Sequence, residues 1–374
     1  MCNLSKKKRI SSVDLRSQYY GIKSEIDQAI QQVLEDGVFA QGPNVNEFEK
    51  EFAMLHGIKY CTAVASGTAA LHILLRALEI GPGDEVIVPV NGCFVTSETI
   101  SIAGARPVFV DCTSDYFNLD PKLIDQAITP RTKAILVVHL YGQPAQMTEI
   151  VELVNKYGLI LLEDCAQAHL AKYHDTPVGN FGKAGAISFY PTKNLGAYGE
   201  SGAIITNDEE IYRKTKILRN HGLTTKYRHS MVGYNYRMDN IQASILRVKL
   251  KHLIEWTDIR RKLATYYTTC LEKINEVIVP QVQPFAEHVF HQYVVQVKER
   301  QKLMDHLEQC GVTTSIHYPI PCHLQPAFKP LGYKSGRFPI AESCAQSVLS
   351  LPLSEQLKPD DIKYVSECIA NYYS

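Results

Sequence analysis

The hydrophobic pattern of the chain changes character near residue 57. Helical periodicity covers 12–36 and 44–56, and Gly57 ends the second helix. From residue 60 onward, short apolar runs alternate with helical stretches. The runs predict strands over 60–65, 85–89, 107–110, 134–138, 159–162 and 184–187, and the stretches between them predict helices over 68–78, 94–103, 120–127 and 147–157. Continuous Val, Ile and Leu strands separated by helices predict a mostly parallel sheet sandwiched by helices.

The pattern changes again after Gly233. Residues 238–272 predict one long helix, and the elements after it are strand 291–297, helix 300–310, a candidate strand 312–316 and helix 359–372. This order lacks repeated strand-helix units and predicts a smaller α+β domain. We therefore predict an α/β protein with a large domain over 1–250, whose N-terminal helical segment is 12–56, and a small C-terminal domain over 251–374.

Charge and cysteine usage narrow the class of protein. The chain has 39 basic and 39 acidic residues, so we expect no bulk attraction to nucleic acid or to an anionic membrane. No signal peptide or membrane-spanning run is visible, and ten scattered cysteines without a Cys-x-x-Cys spacing predict neither a metal site nor a disulfide framework. These features favour a cytoplasmic protein. The basic run Lys6-Lys7-Lys8-Arg9 is interpreted as a solvated tail.

One lysine stands in an unusual setting. Strand 184–187 is followed by Ser188, and Pro191 and Gly196 then prevent a smooth continuation, so the chain must turn sharply around Lys193. A lysine held in a partly dry site loses its proton more easily and can form a Schiff base with an aldehyde. Taken alone, Lys193 is better interpreted as one of the many solvated surface lysines.

Two further stretches follow predicted strands and leave two interpretations each. Asp164 follows strand 159–162, where it either faces a ligand beyond the carboxyl end of the sheet or caps the next helix. Ser66-Gly67-Thr68 precedes helix 68–78, where it either cradles an anion at the helix N-terminus or forms an ordinary N-cap.

Three motifs in this order resemble one known family. They are Glu163-Asp164-Cys165-Ala166-Gln167-Ala168-His169, Ser188-Phe189-Tyr190-Pro191-Thr192-Lys193-Asn194-Leu195 and Gly233-Tyr234-Asn235-Tyr236-Arg237-Met238-Asp239. From about Val13 to the last helix, the chain resembles the DegT/DnrJ/EryC1/StrS family of pyridoxal 5′-phosphate (PLP) enzymes, which have aspartate-aminotransferase fold type I. Most of these enzymes are nucleotide-sugar aminotransferases, and the resemblance implies the same division into a large and a small domain.

The resemblance implies a role for each matching residue. Lys193 forms the Schiff base with PLP, and Asp164 keeps the pyridine nitrogen protonated. The remaining implied contacts are Gln167 to the ring oxygen, Phe94 stacked on the ring, Gly67, Thr68 and Ser188 at the phosphate, Asn235 at the phosphate of a neighbouring subunit, and His317 and Tyr318 on the sugar side. His169 is expected to be structural or peripheral. Asn235 thereby implies a homodimer with shared active sites.

The implied reaction is a ping-pong transamination. L-glutamate leaves its amino group on the cofactor as pyridoxamine 5′-phosphate (PMP), which passes it to the C3 or C4 keto group of a nucleotide-linked deoxysugar, for polysaccharide or glycoside biosynthesis. Segment 318–326 favours a 3-keto substrate by resemblance. The alternatives are a PLP-binding regulatory or sensor protein without turnover, and a sugar dehydratase, against which Lys193 argues because that branch replaces the lysine by histidine.

One stretch departs from the family pattern. The family usually reads Gly-Glu-Gly-Gly or Gly-Asp-Gly-Gly after the lysine loop, whereas this chain has Gly199-Glu200-Ser201-Gly202. Ser201 either demands a different backbone angle or only adds a hydroxyl.

Overall fold

The computed structural model describes residues 9–374, so Lys6, Lys7 and Lys8 of the predicted tail lie outside it. The helices are α1 Leu15–Gly21, α2 Lys23–Asp36, α3 Pro43–Leu55, α4 Gly67–Ala77, α5 Phe94–Ile102, α6 Met147–Tyr157, α7 Glu209–Leu218, α8 Asn240–Leu250, α9 Leu253–Leu271, α10 Arg300–Gln309, α11 Pro339–Ser347 and α12 Pro359–Tyr373. The strands are β1 Tyr60–Val64, β2 Glu85–Pro89, β3 Arg106–Val110, β4 Thr132–Val138, β5 Ile160–Asp164, β6 Lys172–Tyr173, β7 Thr176–Pro177, β8 Ala184–Ser188, β9 Gly202–Thr206, β10 Leu223–Thr225, β11 Arg228–His229, β12 Val277–Ile278, β13 Ala286–Glu287, β14 Tyr293–Val297 and β15 Val348–Leu351.

A seven-stranded sheet forms the centre of the fold, with strand order β1-β9-β8-β5-β4-β2-β3. Strand β9 runs antiparallel to β1 and β8, and the pairs from β8 to β3 are parallel. Successive residues of one strand enter different hydrophobic clusters, as Leu136 does on one face and Ile135 and Val137 do on the other. Both faces are therefore buried, which confirms the predicted α/β architecture.

Four predicted elements differ from the observed ones. Segment 12–36 is two helices separated at Ile22, and 238–272 is two helices separated at Lys251 and His252. At the second break, Lys251 and His252 donate their amide hydrogens to carbonyls three residues back, which tightens the turn. Residues 120–127 form two 3₁₀ turns instead of a helix, and 312–316 forms only isolated bridges, at Val312 and at Ser315. Helix α7, capped by Asp208, was not predicted.

A second, antiparallel sheet with the order β12-β14-β15 lies in the C-terminal part of the chain. Its hydrophobic cluster combines residues of α9, α10 and α12, and it also includes Ile10, which pairs with Val312. The N-terminal end of the described chain thus packs on C-terminal elements. The division near residue 250 stays a prediction. Within 9–374, no helix is long and apolar enough to cross a membrane.

Candidate active site

A cavity of about 300 Å³ opens at the carboxyl end of the central sheet. It lies beyond the last residues of β4, β5 and β8, where ligands bind in open α/β sheets. Its lining consists of Ser66, Gly67, Thr68, Leu71, Cys93, Val95, Thr96, Val138, Asp164, Ala166, Gln167, Ala186, Ile187, Ser188, Tyr190, Lys193 and Glu200. The structure therefore brings together six of the ten predicted site residues in one cavity.

A tight loop between β8 and β9 carries Lys193. The Lys193 amide donates to the Tyr190 carbonyl at 2.9 Å, and the Ala197 amide donates to the Phe189 carbonyl at 2.8 Å. A Cβ at Gly196 would lie 2.3 Å from the Pro191 carbonyl oxygen, so only glycine closes this loop. Burial lowers the pKa of Lys193, while Cys93 and Asp164 act in the opposite direction. The amine is thus more nucleophilic at neutral pH than a solvated lysine.

Asp164 ends β5 and is buried at the cavity. Its Oδ2 accepts a hydrogen bond from the Thr96 hydroxyl at 2.6 Å, and its Oδ1 accepts one from the Ala166 amide at 3.0 Å. No helix begins between Asp164 and β6, which removes the helix-cap interpretation. The carboxylate is held in one orientation against the cavity, as a partner for a cationic ring nitrogen requires.

The neighbouring Glu163 anchors β5 from the other face of the sheet. Its carboxylate accepts hydrogen bonds from the amides of Gly179, Phe181 and Gly182 at 2.7–2.9 Å, and from Nε2 of His139 at 3.1 Å. Ligand atoms of His139, Glu163 and Cys165 lie within 4.8 Å of one another, a spacing that a metal could bridge. The four hydrogen bonds already satisfy this buried carboxylate.

The N-terminus of α4 and the end of β8 form a corner of the cavity that is suited to an anion. Ser66 caps α4 by accepting the Ala69 amide at 3.0 Å, which agrees with the N-cap interpretation and leaves the anion interpretation open. A Cβ at Gly67 would lie 2.7 Å from Cβ and 3.1 Å from Oγ of Ser188, so the glycine brings the helix end against the Ser188 hydroxyl. Gly202 is equally constrained, since its Cβ would lie 2.4 Å from the Ser66 carbonyl.

Ser201 fits the loop without a special backbone angle. Its φ lies outside the left-handed region, and its hydroxyl donates to the Glu200 carbonyl at 2.6 Å. The departure from the family pattern therefore adds a hydroxyl and leaves the backbone unstrained at this residue.

Gln167 connects the cavity to His317 and Tyr318, which the resemblance places on the sugar side. Its Oε1 accepts the Tyr141 amide at 2.7 Å, and its Nε2 donates to the Tyr318 hydroxyl at 3.0 Å. The Tyr141 hydroxyl donates to the His317 carbonyl, and Nδ1 of His317 shares a hydrogen bond of 2.8 Å with Ser350. Because an amide nitrogen carries two hydrogens, Gln167 keeps one for a ligand.

Burial lowers the pKa of His317 to about 4, and the nearby Lys193 amine contributes in the same direction. His317 is therefore an uncharged imidazole at neutral pH and, like Tyr318, is not among the residues that line the cavity. Its neighbour Tyr318 is also neutral, because burial raises the pKa of the phenol well above its usual value.

Phe94 and Asn235 are not among the residues that line the cavity. Phe94 is the first residue of α5, and its ring centroid lies 4.9 Å from that of Phe328. Asn235 is exposed, and its backbone bridges to Asn220. Their predicted roles on the ring and at a neighbouring subunit stay predictions.

Sequence reasoning missed Thr96 and Cys93, which line the cavity beside Asp164 and Lys193. Both follow β2 closely, so their place after the carboxyl end of a strand was the available signal. His169, expected to be structural or peripheral, is fully buried. It donates from Nε2 to the Ser188 carbonyl at 3.0 Å and stacks on Phe189.

These residues fit PLP. A nucleophilic amine suits the aldehyde, a buried carboxylate suits the pyridine nitrogen, and a helix N-terminus beside a serine hydroxyl suits the phosphate. The three groups line one cavity whose corner is kept open by a glycine that a Cβ would fill. The fold and the site define a PLP-dependent transferase of the aminotransferase type.

Comparison with known proteins supports the same class of enzyme. The model of the DegT/DnrJ/EryC1/StrS aminotransferase family matches residues 21–370, and the chain belongs to this family. It is 44% identical to a "Pleiotropic regulatory protein" of Geobacillus stearothermophilus, covering 97% of this chain and 98% of that protein. It is 42% identical to the dTDP-3-amino-3,4,6-trideoxy-alpha-D-glucose transaminase of Streptomyces venezuelae, covering 94% and 92%.

Among solved structures, S. venezuelae DesV in complex with a ketimine intermediate is similar, with a TM-score of 0.96, 40% identity and coverage of 98% and 99%. The predicted family, fold and PLP cofactor are confirmed. The chain is an aminotransferase of this family.

Proposed function

We propose that the chain transfers an amino group from L-glutamate to the C3 keto group of a nucleotide-linked deoxysugar, for the synthesis of a polysaccharide or glycoside. The observation that carries this proposal is the single cavity that joins the Lys193 amine, the Asp164 carboxylate and the corner at Gly67 that is suited to an anion. The name of the S. venezuelae transaminase, which specifies a 3-amino sugar, supports C3 over C4.

PLP, when bound, supplies an electron sink that lets an amino acid lose its Cα proton. Lys193 provides the amine that would hold the cofactor and, when free of it, would act as the general base that takes the proton from the donor Cα and as the general acid that returns it. Its lowered pKa favours the neutral amine that this transfer needs. Asp164 would pair with the protonated ring nitrogen, and the α4 N-terminus with Ser188 would hold the phosphate.

The first test is a half-reaction. L-glutamate should change the absorbance of the cofactor-loaded protein and release 2-oxoglutarate, and Lys193→Ala should lose both. An acceptor screen with dTDP-, UDP- and GDP-linked 3- and 4-ketosugars, with product mass as the readout, then identifies the substrate. Amination of only 4-ketosugars would contradict the C3 proposal.

A regulatory protein that keeps the pocket without turnover is the second candidate, because one relative carries the name of a regulator. Such a protein would bind PLP but show no spectral change with amino acid donors. The same half-reaction therefore separates the two functions.

We further propose a homodimer in which Asn235 completes the phosphate site of the partner subunit. Asn235 is exposed and lies away from the lining of its own cavity. The segment before it forms the β10-β11 hairpin, and near this hairpin Tyr227 and Val232 are 87% and 89% exposed. Large apolar side chains with this exposure favour contact with another chain.

Mixing two inactive variants tests the shared site. Lys193→Ala and Asn235→Ala subunits should each have low activity, but a hybrid C₂ dimer would hold one intact site and one doubly altered site. After unfolding and refolding of an equimolar mixture, about a quarter of the wild-type activity should return. No recovery, with hybrid dimers verified by mass, would contradict sharing.

A further inference from the structure

Lys249 on α8 is a fully buried lysine close to the loop that carries Lys193. Its residue exposure is 0%, and it ranks among the largest buried side chains of residues 9–374. Lysine is rarely buried, because removing a charged amine from water costs free energy unless strong contacts replace the lost hydration. A leucine or methionine would fill the same space without this cost, so packing alone does not account for Lys249.

The contacts of Lys249 lie on the lysine loop. Its Nζ donates to the Gly196 carbonyl oxygen at 2.7 Å and lies 4.1 Å from the ring centroid of Tyr198. Gly196 closes the tight loop that begins at Pro191, and Lys193 lies between these two residues. The amine therefore holds the carboxyl-terminal end of the loop whose centre faces the cavity.

A second residue of α8 holds the same stretch. Gln242 accepts the Tyr198 amide at 2.9 Å and donates to the Tyr198 carbonyl at 3.3 Å. Helix α8 thus contacts the loop through two side chains about two turns apart, and both side chains form hydrogen bonds with backbone groups of the loop. Such contacts fix the path of the backbone regardless of the loop's own side chains.

We propose that Lys249 is a positioning residue for Lys193, which sets the orientation of the Lys193 amine by pinning the Gly196 carbonyl from α8. The proposal rests on the proposed role of Lys193 as the residue that holds the cofactor. Burial lowers the pKa of Lys249 to about 7. A neutral amine still carries two hydrogens, so the bond to Gly196 persists in both protonation states.

The test compares Lys249→Met with the wild type and with Lys251→Met, which removes an exposed lysine next to the same helix. The probes are PLP added to the apoprotein, sodium borohydride to fix the covalent bond, and L-glutamate for the half-reaction. Methionine removes the cost of burying an amine but leaves the Gly196 carbonyl without this donor, so the two effects oppose each other and the melting temperature of K249M should stay within about 2 °C of the wild type. The rate of borohydride-stable capture of PLP at Lys193 should fall about tenfold.

The glutamate half-reaction supplies a readout that a merely structural role would not move. In K249M its maximal rate should fall about tenfold while the half-saturating glutamate concentration stays within about twofold, since only the orientation of Lys193 changes. Lys251→Met should match the wild type in every measurement. Wild-type rates in K249M, or a slow variant whose melting temperature also falls by several degrees, would overturn the proposal.

Two further results distinguish a failure of the Lys249 proposal from a failure of the Lys193 role and from a failure of the variant to fold. If borohydride tags a residue other than Lys193 in the wild type, the proposed role of Lys193 fails, whatever K249M does. If K249M does not fold, Lys249→Gln provides a shorter neutral side chain at the same position. Its rates of PLP capture and of the glutamate half-reaction then test the proposal in the same way.

Discussion

Replacing Thr96 by valine removes one hydrogen-bond donor from the active site and nearly preserves the shape of the side chain. Thr96 is buried, and its hydroxyl donates to Oδ2 of Asp164 at 2.6 Å. Without this donor, a buried carboxylate oxygen loses its partner, while Oδ1 keeps the Ala166 amide. We therefore expect both the stability of the protein and the fixed orientation of Asp164 to suffer.

The size of the effect follows from the charge on the acceptor. A hydrogen bond to a charged group contributes about 1.5–3 kcal/mol to the free energy of unfolding. For 374 residues, the entropy of unfolding is about 0.8 kcal/mol/K, so T96V should lower the melting temperature of the apoprotein by about 2–4 °C.

Thr99→Val is the matched control. Thr99 is buried on the same helix, but its hydroxyl donates to the neutral carbonyl of Thr96 at 3.0 Å. A neutral bond contributes about 0.5–1.5 kcal/mol, and its loss should lower the melting temperature by at most about 2 °C.

Calorimetry of the apoproteins measures the melting temperatures of T96V, T99V and the wild type, and titration with PLP measures their cofactor affinities. T96V should bind PLP about tenfold more weakly than the wild type, because Asp164 is no longer held toward the ring nitrogen. T99V should bind PLP as the wild type does. If the two variants share one melting temperature and one PLP affinity, Thr96 has no special role at Asp164.

Two further predictions concern the phosphate corner and acid stability. Gly67→Ala should weaken PLP binding about tenfold in a fluorescence titration, because the new Cβ would lie 2.7 Å from Cβ of Ser188. An unchanged PLP affinity would contradict phosphate binding at the N-terminus of α4. Burial lowers the pKa of four histidines from 6.5 to about 4 or 3; they are His56, His169, His288 and His317. Below pH 6.5 these histidines take up protons in the unfolded chain but not in the folded protein. The free energy of unfolding is therefore highest above pH 6.5 and falls as the pH is lowered toward the folded-state pKa values. Each histidine lowers stability by up to about 1.4 kcal/mol per pH unit below 6.5, and a melting temperature that stays constant from pH 7 to 5 would contradict this.

The central sheet could be predicted because its strands are buried on both faces. Runs such as Ala134–Val138 then contain apolar residues without interruption, and the observed strand β4 spans Thr132–Val138. The same logic placed Asp164 beyond the carboxyl end of its strand, at the edge of the sheet where ligands bind, whereas the site role of Lys193 was implied by the family resemblance. Both residues line the cavity.

The helix boundaries were less accessible to sequence reasoning. Residues 238–272 contain no proline or glycine after Met238, so their pattern predicted one helix. At the observed break, His252 contacts another element of the fold, since its Nε2 lies 3.2 Å from Oε1 of Glu25 on α2. Such a tertiary contact overrides local propensity.

The partners that orient the active site lie beyond any local pattern. Thr96 reaches Asp164 across 68 residues, Lys249 reaches Gly196 across 53, and Gln167 reaches Tyr318 across 151. In each pair, a polar group at the cavity or on its loop is satisfied by a residue from another element, because a buried donor or acceptor without a partner costs free energy. A motif can therefore predict which side chains do the chemistry, but the groups that hold them are set by which elements the fold brings together. For this reason we expect the variants T96V and K249M, which leave all three motifs unchanged, to alter cofactor capture.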